Sequence, residues 1–149
     1  MYMLKAKNFF DLQFLISYLG ICPFIYVLLD IIFLNIFSIE LLKNFIIFYT
    51  FIIISFIGAM RWEYKKNSDL LSIFYGFVPS LFSTILIILN LLDFNKNLIF
   101  LFLFIFLNLQ LLIDFIFYKK DANEAFFFLN IRIPLTTIII LIIFYLIFV

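Results

Sequence analysis

The polar side chains of this chain that could do chemistry sit within or beside long apolar runs, and one group of them stands apart. Asp114 and Gln110 are four residues apart, a spacing that places both on one face of a helix. Arg132 lies near the start of the next apolar run, and Ser55 and Arg61 lie near the end of an earlier one. Such a cluster can work in two ways. It can be an ion pair, Asp114 with Arg132 or with Arg61, that fixes how helices pack. Alternatively, it can be a polar site that handles a proton, a lipid headgroup or a small ligand. A charge near the centre of a bilayer costs on the order of 2.5 to 3.5 kcal/mol, so pairing lowers the cost of both partners. Asp114 is only one turn inside the end of its run, close enough to hydrate, so its position does not demand a mechanism and the structural pair is the expected reading. Asp30, near the end of the first run, reads as an interfacial residue.

Other chemistries are not provided for. The chain has no His and one cysteine, Cys22, which leaves no internal disulfide, no transition-metal set and no neutral-pH proton carrier. There is no Gly-rich phosphate loop and no Ser-His-Asp set, and every Lys lies at a run boundary, so a Ser-Lys dyad at membrane depth fails as well. The expectation is therefore no enzyme, no cofactor and no metal. A net charge of +1 without a basic face argues against nucleic acid. The 25 Phe are read as no aromatic box, because AT-rich codons supply Phe, Ile, Asn and Lys together.

The elements that must position the cluster follow from composition. Of 149 residues, 68% are hydrophobic and 13% charged, against roughly 45–50% and 25% in soluble domains. With a mean hydropathy of +1.29, only lipid can solvate so much apolar surface. A hydrocarbon core about 30 Å thick takes about 20 helical residues. The chain supplies five such runs, about 12–34, 42–60, 70–92, 98–118 and 126–149, with charge at each break. The predicted fold is an all-α polytopic transmembrane bundle of five helices in a single integral membrane domain, 1–149. Lys5, Lys7, Arg61, Lys65, Lys66, Lys119, Lys120 and Arg132 fall on one side, eight in all, and only two, Lys43 and Lys96, on the other. Since Lys and Arg stay on the cytoplasmic side, the N-terminus is expected inside and the C-terminus outside. Trp62, Tyr64 and Tyr118 sit at the inner boundaries, as amphipathic rings do. Lys5 and Lys7 ahead of an apolar run are read as flanking a first anchor, not an export leader.

Within the runs, Pro23, Pro79 and Pro134 remove backbone donors and should kink their helices. Asp121-Ala122-Asn123-Glu124 has the form of a capping box, so the fifth helix is expected to begin there and run on through Pro134. Ser72, Gly76, Ser80 and Thr84 place small residues along one face of the third helix, and Ser55, Gly58 and Ala59 do so on the second, which suits close helix packing.

Several segments together resemble a membrane family, the domain-of-unknown-function family numbered three-four-two-nine, whose animal relative is called transmembrane protein sixty-nine. They are Leu19-Gly20 with Pro23-Phe24; Ser55-Phe56-Ile57-Gly58-Ala59 with Trp62; Val78-Pro79-Ser80-Leu81; and Leu109-Gln110-Leu111-Leu112 with Asp114, then Leu129, Arg132 and Pro134-Leu135-Thr136. The resemblance covers most of the chain. It implies a bacterial plasma (inner) membrane location, or the mitochondrial inner membrane if organellar, and it supports Gln110, Asp114, Arg132 and Pro134 as the positions to watch. It implies no activity. Where the family carries His before the Trp, this chain has Arg61, which favours a structural or anion-contacting role over proton transfer. The expected function is that of a non-enzymatic structural, accessory or assembly component of a membrane complex, partnered by the lipid bilayer and by another membrane protein or copies of itself. A small transporter or channel using Gln110, Asp114 and Arg132 is the alternative.

Overall fold

The computed structural model describes residues 14–59, 70–118 and 128–149, with the backbone alone at 71, 72, 117 and 118. Its secondary structure is helical throughout, with no strand among the described residues. Five helices are long and apolar enough to cross a membrane. They are α1 (Phe14–Leu34), α2 (Ile39–Ala59), α3 (Leu70–Leu91), α4 (Lys96–Tyr118) and α5 (Phe128–Phe148). Large apolar side chains such as Phe33, Phe56, Leu112 and Phe148 are exposed along them. Water would not tolerate apolar exposure on that scale, whereas hydrocarbon tails solvate it. The protein is a multi-pass membrane protein. The second helix begins three residues before the expected Leu42, because Ser38 caps it by accepting the Leu41 N–H at 3.4 Å. The expected capping box at Asp121–Glu124, along with Arg61, Trp62 and Tyr64, lies outside the described residues.

Two compact units make up the chain, one from α1, residues from Phe104 onward in α4, and α5, the other from Phe37–Leu103. In the second unit α2 and α3 pack together. Buried Leu42, Ile46, Ile47, Thr50, Phe51, Ile54 and Gly58 recur at three- and four-residue steps along α2, giving one stripe. At Gly58 the helices approach so closely that an added Cβ would stand 2.7 Å from Cγ of Pro79 and 3.2 Å from the Tyr75 carbonyl oxygen. Pro79 has no N–H for that carbonyl. The face of α3 that is buried differs from the expected stripe: it carries Tyr75, Gly76, Pro79, Ser83, Leu86 and Asn90. Thr84 is exposed and bonds the Ser80 carbonyl of its own helix at 2.9 Å, and Ser80 bonds that of Phe77 at 2.8 Å. Hydroxyls satisfied within their own helix tolerate lipid, so these two need not face a partner. The hydroxyl that does cross is Ser83, which donates to the Phe51 carbonyl at 3.3 Å.

The α3–α4 connection is set by a left-handed residue, Asp93, at φ 54°. Its N–H bonds Asn90 O at 3.3 Å, and that of Phe94 bonds Leu89 O at 3.0 Å, the paired bonds of a Schellman stop. Asn95 then caps α4 through its side-chain oxygen, which accepts the Asn97 N–H at 2.9 Å.

Candidate functional site

In the first unit, α4 and α5 run antiparallel, as three contacts in reverse order along the two helices require. Phe104 meets Phe144 at 6.1 Å between ring centroids, and Phe115 meets Phe128 at 6.0 Å. Between those ring pairs Arg132 reaches Asp114: its Nε donates to Oδ2 at 2.7 Å, and its Nη2 donates to the same oxygen. Both side chains are buried, Asp114 at 2% exposure and Arg132 at 10%. Two donors on one carboxylate oxygen is charge-assisted bonding, which offsets the cost of taking both ions out of water. Gln110 is buried one turn before Asp114, and Thr136 one turn after Arg132, so each charged residue has a buried polar neighbour on its own helix.

The backbone around Arg132 is what aims it. Residues Phe128–Arg132 form a π turn, and an α-helix follows from Ile133 with Pro134 in its first turn. From Phe128 the helix runs through the proline, changing its hydrogen-bond pattern just ahead of it, and the expected start at Asp121 lies outside the described residues. Pro134 has no N–H to give the Asn130 carbonyl, and the hydroxyl of Tyr18 on α1 supplies the missing donor at 2.8 Å. Wide turns of this kind rotate the residues that follow, and they recur at functional sites.

Helix α1 treats its own proline differently. Pro23 falls in the first turn of the Cys22–Leu29 stretch, and the chain ahead of it tightens, with Ile21 N–H on Tyr18 O at 3.0 Å. At its far end the helix closes with a π turn, Asp30–Leu34, and a left-handed Asn35 at φ 50°. Asn35 N–H bonds Asp30 O at 2.8 Å, and the Asp30 carboxylate accepts the Ile36 N–H at 3.2 Å. Asp30 is fully buried. Asp30 is thus a cap folded into the unit, because the turn after the helix presents a backbone donor to its side chain.

Of the residues expected to cluster, Gln110, Asp114 and Arg132 come together in this unit. Ser55 is half-buried on α2, in the other unit, and Arg61 lies outside the described residues. A family model described as protein of unknown function (DUF3429) matches residues 11–148. The chain belongs to this family. No curated protein and no solved structure shows a significant match. Within this DUF3429 member, Tyr18 is a structural polar group that sequence reasoning passed over, and Asp30 is one whose capping role it did not show. The signal for Tyr18 was Pro134 itself, since a proline inside a membrane helix leaves a carbonyl that some donor must meet. Among the described residues, no three His, Cys, Asp or Glu side chains gather where a metal ion could be held.

Proposed function

We propose that this protein is a non-enzymatic structural or accessory component of a membrane complex, in a bacterial inner membrane, with its N-terminus on the cytoplasmic side and its C-terminus opposite. The observation that carries the reading is the closed state of the Asp114–Arg132 pair. A carboxylate that handles a proton or a solute must be reachable, whereas this one is 2% exposed and takes two donors from one guanidinium. Such a pair is suited to fixing the order and register of helices. The inter-helix bonds of Tyr18 and Ser83 support the same reading, since both serve packing. Connections between described helices are short, as between α1 and α2 or α3 and α4, which leaves helix surfaces as the natural place for a partner.

Extraction in mild detergent tests the reading. The protein is expected to leave the membrane together with another membrane protein or as an oligomer of its own chain. Recovery as a lone monomer, with a solute flux across reconstituted vesicles that Asp114→Asn abolishes, would overturn it.

A further inference from the structure

The unit Phe37–Leu103 holds a cleft of about 780 Å³, where the start of α2, the α3–α4 turn and the start of α4 meet. Four charged side chains line it: Glu40, Lys43, Asp93 and Lys96. Two of them are spent on each other, Lys96 Nζ donating to Glu40 Oε1 at 2.6 Å. Lys43 and Asp93 line the same cleft, yet neither forms an ion pair with the other or with any other described residue. The cleft thus offers one open cation and one open anion, set too far apart to neutralise each other directly.

A ligand that satisfies both must carry both charges. At the ends of membrane-spanning helices, where headgroups lie, the abundant molecules of that kind are zwitterionic phospholipids. The first turns of α2 and α4 border the cleft at Ile39 and Lys96–Asn97 and add positive potential to it. Ile39 and Phe94 give it an apolar wall on which acyl chains can lie. We propose that this cleft binds the headgroup of an aminophospholipid, its phosphate on Lys43 and its primary ammonium on Asp93. The proposal does not depend on the role of the Asp114–Arg132 pair.

Native mass spectrometry of the detergent-purified full chain, with phosphatidylethanolamine and phosphatidylcholine of matched chains added in equal amounts, tests it. Choline nitrogen has no N–H to donate to Asp93, so the unsubstituted protein is expected to retain ethanolamine lipid about fivefold over choline lipid, the scale of a half-exposed ion pair. Asp93→Asn should erase that preference while still retaining lipid. Lys43→Ala should lower retention of both lipids, with Lys43→Gln replacing it if the alanine variant is not monodisperse. Soluble glycerophosphoethanolamine at equal concentration should fail to displace the lipid. Equal retention of the two lipids by the unsubstituted protein, a preference unchanged in the Asp93 variant, retention unchanged in the Lys43 variants, or displacement by the soluble headgroup would each overturn the proposal.

Discussion

Arg132 and Asp114 hold opposite charges in a place where neither could stay alone. Removing one partner of a buried pair leaves the other uncompensated, at a cost of about 3–5 kcal/mol, while replacing both with apolar groups of similar size is often nearly neutral. Asp114→Leu and Arg132→Met should therefore each lower folded yield and thermal stability in detergent severely, and the double variant should recover much of the loss. A double variant as damaged as the sum of the singles would show that the two residues act separately. Tyr18→Phe removes the donor to the Asn130 carbonyl, and a loss of about 0.5–1.5 kcal/mol in the same thermal measurement is expected. The sequence made Gln110, Asp114 and Arg132 visible because a charge or carboxamide inside an apolar run has no other explanation. It hid Tyr18, Ser83 and the capping role of Asp30, because each meets a backbone group that local geometry leaves open: a carbonyl facing Pro134, the Phe51 carbonyl on the neighbouring helix, and a donor after left-handed Asn35.

Between helices, small residues decide how near two backbones come. Gly58 meets Pro79 so closely that Gly58→Ala must push α2 and α3 apart, and overpacking of this kind costs about 1–3 kcal/mol. Gly58→Val should cost more, and a thermal shift series over the two variants checks the order. The Lys96–Glu40 pair, with the Glu40 side chain 77% exposed, ties α4 to α2 weakly: Lys96→Ala should lower thermal stability only slightly, and the loss should shrink in high salt. Gly58 was readable as a packing position from its place beside Ser55. The third-helix face was readable only in part. Four-residue spacing identified small residues, but Ser80 and Thr84 bond their own helix, so the face that packs is the adjacent one through Pro79 and Ser83. Composition cannot tell a hydroxyl that faces a partner from one that satisfies itself.

At the scale of the molecule, five apolar helices of 21 to 23 residues match the thickness of a bilayer core. That number was legible from hydropathy alone, because charge marks each break between runs and lipid permits no other exposed backbone. The proposed threading direction rests on the same charges: eight Lys and Arg on one side against two on the other, a bias that a four- or six-pass reading would spoil. On that proposed threading the side holding Lys43 and Lys96 is the outer one, and the lipid cleft faces the outer leaflet. The most direct test is to fuse reporters active on only one side of the membrane to each terminus of the full chain. The account predicts a cytoplasmic signal from the N-terminal fusion and an external one from the C-terminal fusion; both termini reporting from the same face would contradict it.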